Sequence, residues 1–218
     1  MVCVPGAASA QQPEEPTPAQ QDAAAATNDE QPQAANSRIF GVMPNYGTVE
    51  DAASVQPLSA GQKFHMAALY AFDPYVYPFV GVIAGVGGGQ GEHGYGERYA
   101  LAFAGNTVSS FLTVAVLPSA FHQDPRYFQL GKGGVWRRAG YTVTRSVVAR
   151  SDAGKTMFNV SEVGGNLLTA GLSNAYYPSS DRSVANTLTR WGMQMMWDTL
   201  SNELKEFWPD IRRKISKA

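Results

Sequence analysis

From Tyr99 to Phe121 the chain runs 23 residues without a charged side chain. A run of that length is either a segment that crosses a bilayer, for which about 20 apolar residues suffice, or a long helix buried in a core. Asn106, Thr107, Ser109, Ser110 and Thr113 make the run only moderately hydrophobic, so both readings stand at the level of sequence. Ala100/Ala104, Gly105/Ser109 and Ala115/Ser119 place small residues four apart, where a neighbouring helix can come close.

The composition sets limits on the rest. Of 218 residues 44% are hydrophobic and 16% charged, against about 25% charged in ordinary soluble domains. With 22 glycines and 11% aromatics, a disordered regulator, a coiled coil and a collagen-like fibre are excluded. The single cysteine, Cys3, excludes internal disulfides and any zinc or iron–sulfur site built on cysteines. A net charge of −1 gives no reason to expect a nucleic-acid partner. Residues 1–38 hold five acids and one base. Taking these from the totals of 18 and 17 leaves 13 acids and 16 bases, so the body carries +3.

Residues 1–10 end in Ala8-Ser9-Ala10, the small-x-small pattern that signal peptidase accepts, with Gln11 as the mature start. The apolar stretch before it is short, so 1–10 reads as the remnant of a longer signal peptide. Residues 11–38, rich in Gln, Pro and Ala, bury too little apolar surface to fold and read as a disordered linker. A single helical domain is expected over 39–218.

Ser59 and Gln62 form a capping box that opens a helix running to Phe72, where Asp73-Pro74 stops it. A second apolar run, 75–89, carries Gly81, Gly85 and Gly89 on one helical face, a helix-packing signature. The long uncharged helix should end near Phe121 or His122, because Pro125 disfavours a helical Asp124. Further helices are expected over 135–150, from a cap at Ser161 to Tyr176-Tyr177-Pro178, and from Ser180 or Asp181 to Trp208-Pro209. In the last, Val184, Leu188, Trp191 and Met195 form a stripe with Met196, Leu200, Leu204 and Phe207 beside it, which reads as ordinary core packing. Phe207 and Trp208 with Arg212, Arg213 and Lys214 form a tail suited to an anionic membrane surface. The fold class expected is all-α, a bundle of five or six helices packed through Gly, Ala and Ser faces. Only 141–148 resembles a strand, so a β-barrel is set aside.

Motif matches point to no reaction. Residues 149–156 fit a loose phosphate-loop pattern, but Asp152 would sit among the phosphate-binding amides and no doubly wound sheet surrounds it. Gly89, Gly91 and Gly94 match a dinucleotide fingerprint without the acid about 20 residues on. Gly171-Leu-Ser173-Asn-Ala175 falls one residue short of a nucleophile elbow. His65, His93 and His122 are scattered. No nucleotide, cofactor or metal is expected.

What remains is a series of polar blocks: His122-Gln-Asp124-Pro-Arg126-Tyr-Phe, Trp136-Arg-Arg-Ala-Gly-Tyr141, Thr144-Arg145, Arg150-Ser-Asp152-Ala-Gly154, Ser173-Asn174-Ala-Tyr176-Tyr177-Pro178 and Glu206-Phe-Trp-Pro-Asp210. In these blocks, and in the opening Arg38-Ile-Phe-Gly-Val-Met-Pro-Asn-Tyr46, the chain resembles a family of small signal-bearing envelope proteins of Gram-negative soil bacteria. The resemblance runs from about Arg38 to the C-terminus. It implies an exported protein of the periplasm or outer membrane and brings no activity, catalytic residue or cofactor. The expected role is therefore structural or interaction-based, on or in a membrane, with a membrane lipid or envelope polymer as partner. The alternative is a periplasmic hydrolase or anionic-ligand binder built on His122, Asp124 and Arg126. Arg126, Arg145 and Arg150 against Asp124 and Asp152 are expected to form one ion-pair network at the helix ends.

Overall fold

The computed structural model describes residues 38–51, 55–86, 94–177, 179 and 182–217, which are mostly helical. The chain divides into residues 1–36 and 37–218, and the described residues belong to the second unit. The expected signal remnant, the linker up to residue 37 and Gly89 lie outside the described residues.

Six helices follow one another among the described residues: α1 (Ala60–Phe72), α2 (Val76–Val86), α3 (Tyr95–Ala120), α4 (Val135–Arg145), α5 (Val160–Ser173) and α6 (Val184–Ile215). The capping box of α1 is complete: Gln62 N donates to Ser59 Oγ at 3.3 Å, and Ser59 N donates to Gln62 Oε1 at 2.9 Å. An extended Asp73 ends α1, and α2 leaves at 55°. Within α3 the residues Leu112–Val116 form a π-helical turn. Pro118 follows that turn and has no N–H to return to the carbonyl four residues back.

Three small sheets correct the all-α expectation. β1 (Arg38–Ile39) pairs antiparallel with β2 (Met43–Pro44), and β3 (Thr48–Val49) pairs parallel with β5 (Tyr127–Phe128). The third sheet is antiparallel, with β6 (Val148–Ser151) between β4 (Gln123–Asp124) and β7 (Thr156–Phe158). The helix expected over 135–150 therefore stops at Arg145. Val147 and Val148 are β-branched, and β4 and β7 offer backbone partners on both sides. This β6–β7 hairpin also occupies the phosphate-loop match, with Gly154 at φ +78° in its turn.

Two further boundaries differ. The cap of α5 is Asn159, whose side chain accepts from Glu162 N at 3.0 Å. Ser161 instead donates its N–H and hydroxyl to Gln123 Oε1. Helix α6 does not stop at Pro209, which lies inside it. The carbonyl that Pro209 leaves without its intrahelical donor, Lys205 O, accepts from Gln129 Nε2 at 2.5 Å, and Glu206 O accepts from Arg138 Nη2. Trp208 is buried, edge-on to Phe40 at 4.8 Å, so it is not available to a membrane surface, and the half-buried Phe207 lies under Arg138. Arg213 pairs with Asp210, while Arg212 and Lys214 are exposed.

The close helix contact is at Gly165, not at the α2 glycines. A Cβ there would lie 2.8 Å from Thr113 Cγ2 of α3. Gly81 faces the side chains of Tyr95 and Tyr99, and a Cβ at Gly85 would meet open space. The α6 stripe also departs from core packing: Val184, Leu188, Met196, Leu200 and Leu204 are exposed, leaving Trp191, Met195 and Phe207 partly covered.

Among the described residues as many polar or charged side chains as hydrophobic ones are buried. The largest fully buried side chains are Lys63, Ile39, Gln123, Glu206, Asn166, Thr142, Thr169 and Pro118. Glu206 has no exposed surface and accepts from Tyr127 Oη (2.9 Å), Leu130 N (3.0 Å), Gly131 N (3.0 Å) and Arg138 Nε (2.8 Å). Lys63 Nζ donates to both carboxylate oxygens of Asp152 at 2.8 Å. Phe64, Phe72, Val82, Leu168, Leu172 and Leu188 meanwhile face outward. Glu206→Ala leaves Arg138 facing only the more exposed Asp210, and unfolding by denaturant is expected to show a loss of about 3–5 kcal/mol, whereas a loss under about 1 kcal/mol would mean that the pair holds nothing.

Candidate functional site

A cavity of about 370 Å³ lies where α3, α5 and α6 face β4, β5 and β6. The polar side chains that made α3 ambiguous in sequence are explained by it. Asn106, Ser109, Ser110 and Thr113 line the cavity. Thr107 and Thr113 return their hydroxyls to the carbonyls of Phe103 and Ser109, both at 2.9 Å. Ser109 Oγ donates to Asn166 Oδ1 at 2.8 Å.

Three arginines reach the cavity from different elements. Arg126, beside β5, is closed onto Asp124: Nε donates to Oδ1 at 2.9 Å and Nη2 to Oδ2 at 2.6 Å, both side chains being buried. Arg150 lies over the Phe128 ring at 4.8 Å, and Arg145, the last residue of α4, lies over Tyr141 at 4.8 Å. Neither forms an ion pair among the described residues, and Arg145 Nε is buried without a hydrogen-bond partner. Gly154 is required beside Arg150, since a Cβ there would stand 3.1 Å from Nη2 at a φ that L residues rarely adopt.

Across the cavity, α5 and α6 bring Glu162, Asp198 and Lys205 together. Burial pushes the Glu162 carboxyl well above the usual carboxylate range, and the neighbouring Asp198 carboxylate raises it further. Glu162 and Asp198 are hydrogen-bonding neighbours, and Asn166 Nδ2 donates to the two at 3.2 and 2.9 Å. Burial lowers the Lys205 ammonium against the opposing pull of Asp198 and Glu162.

Of the residues named from sequence, Asp124, Arg126, Arg145 and Arg150 share this cavity, while His122 and Asp152 do not line it. The expected five-member network does not form: Asp124 pairs with Arg126, and Asp152 turns to Lys63. His122 is exposed and adopts φ +52° at the end of α3, where its carbonyl accepts from Asp152 N at 2.8 Å. Sequence reasoning passed over Lys63, Glu162, Asp198 and Lys205. Glu162 was visible only as a first-turn acid three residues after Asn159. No family model, curated protein or solved structure matches this chain.

The raised Glu162 pKa fixes the sign of one pH dependence. Well below its ordinary value of 4.5 the group is protonated in both states, so its contribution is intact. As pH rises, the unfolded chain releases that proton and the native state keeps it, so stability is lost until the raised native pKa is passed. Between about pH 5 and 8 the wild type should lose more stability than Glu162→Gln, with Asp198, Lys205 and Asn166 unchanged in both, as read from thermal unfolding. Parallel pH profiles would show that Glu162 ionises normally.

Proposed function

We propose that this chain is an exported, membrane-associated protein of the Gram-negative envelope. Its role is structural or interaction-based, and its helical bundle makes its closest contact at a small residue. One observation carries the reading. Tyr95–Ala120 has the length to cross a bilayer, and its most apolar 18-residue window has a mean hydropathy of 1.7 with only 6% of it buried. A core helix of that hydropathy in water would be mostly covered. At 1.5 Å per residue its 26 residues extend about 39 Å, against a hydrocarbon core of about 30 Å. From Asn106 to Thr113 its polar side chains are turned to the cavity or to its own backbone, and Glu97 and Arg98 lie in its first turn. The bent pair α1–α2 passes the same length and composition test as one broken span.

The resemblance to signal-bearing envelope proteins and the small-x-small pattern at Ala8-Ser9-Ala10 support export to the periplasm or outer membrane. A membrane lipid is the favoured partner, and Arg212 and Lys214 remain exposed for its headgroups. A hydrolase centred on His122, Asp124 and Arg126 has less support, since His122 is exposed and Arg126 is closed onto Asp124. Carbonate extraction of membranes from the native organism is expected to leave the protein in the pellet until detergent is added. Release into the soluble fraction by carbonate would end the reading of an integral association.

A further inference from the structure

We infer that the interhelical cavity is a binding site for an oxyanion, a phosphate or carboxylate group held on Arg145 and Arg150. Four cations (Arg126, Arg145, Arg150 and Lys205) and three carboxyls (Asp124, Glu162 and Asp198) line it. Asp124 is committed to Arg126 through two hydrogen bonds. Glu162 and Asp198 face Lys205, and burial holds the Glu162 carboxyl above the usual carboxylate range. Arg145 and Arg150 are left as two cations without a carboxylate partner among the described residues.

Two guanidiniums without carboxylate partners on one half-open cavity repel each other. An anion bound between them relieves that repulsion. The aromatic rings beneath them hold the guanidinium planes in place, Phe128 for Arg150 and Tyr141 for Arg145, so little side-chain entropy is lost on binding. Two donors on side chains that line the cavity lack partners: Arg145 Nε and Asn106 Nδ2 are both buried without a hydrogen bond. The volume, about 370 Å³, suits a small ligand. Phe79, Val114, Trp197 and Leu204 line part of the wall, so an apolar tail on the anion would also be covered.

The site stands on the cavity and not on membrane insertion, so it survives if the carbonate result goes the other way. Its test uses the purified full chain, titrated by calorimetry with inorganic phosphate, with dihexanoyl phosphatidic acid and with dihexanoyl phosphatidylcholine as the zwitterionic control. Saturable binding of an anionic probe is expected, at least tenfold weaker in Arg145→Gln and in Arg150→Gln, with circular dichroism reporting that each variant remains folded. Using two variants guards against one failing to fold, since the Arg145 backbone also anchors Asn159. A tenfold preference for phosphatidic acid over phosphate assigns the site to a lipid headgroup, and equal affinities assign it to a free oxyanion. No saturable binding of either anion, equal binding of the zwitterionic control, or affinity unchanged in both variants overturns the proposal.

Discussion

A carboxylate with no exposed surface has to be met by donors, and Glu206 is where distant parts of this chain are brought together to do so. Its four donors come from β5, from the loop after it and from α4, and the carboxylate itself comes from the far half of α6. The same meeting explains how α6 passes Pro209: the side chains of Gln129 and Arg138 take carbonyls that a proline leaves short of donors. It also fixes the last turns of α6, so that Trp208 lies on Phe40 and Phe207 under Arg138. Lys63–Asp152 plays the corresponding part between α1 and the β6–β7 hairpin, and Arg38–Asp73 between β1 and the end of α1.

An interior organised by ion pairs and amides leaves less room for apolar side chains, and here many of them lie outside. In water each large apolar group left uncovered forgoes about 1.5–3 kcal/mol of burial. The same groups cost nothing against acyl chains, and a low-dielectric surrounding strengthens the pairs within. Polar residues of α3, α5 and α6 turn inward around the cavity, where Arg145 and Arg150 lie without a carboxylate partner among the described residues.

What could be read from the sequence was local. The capping box at Ser59–Gln62, the stop at Asp73-Pro74 and the end of α3 before Pro125 are each set by residues a few positions apart, and each stands in the fold. What could not be read depends on partners far along the chain. Lys63 and Asp152 are 89 residues apart, and Arg138 and Glu206 are 68 apart. The strand at 148–151 exists because Asp124 and Thr156 lie beside Arg150, and Pro209 is tolerated because Gln129 arrives from 76 positions before Lys205. For the site, sequence reasoning grouped three arginines with Asp124 and Asp152; Asp124 takes Arg126, but Asp152 does not join them. Asp152 looked available beside Arg150, but the nearer charge in space is Lys63. Glu162 and Asp198 carried no sequence pattern, because their meeting depends on α5 packing along α6.

The central claim is that lipid, not water, faces the outer surface of α3. Photolabelling in reconstituted vesicles with a diazirine on the acyl chain, read by peptide mass spectrometry, addresses that surface directly. The account predicts labels concentrated on Tyr95–Ala120, at exposed positions such as Ala104 and Val116, and sparse on the buried face at Ala115. Labels absent from this helix while water-borne carbene reagents modify Val116 would contradict it.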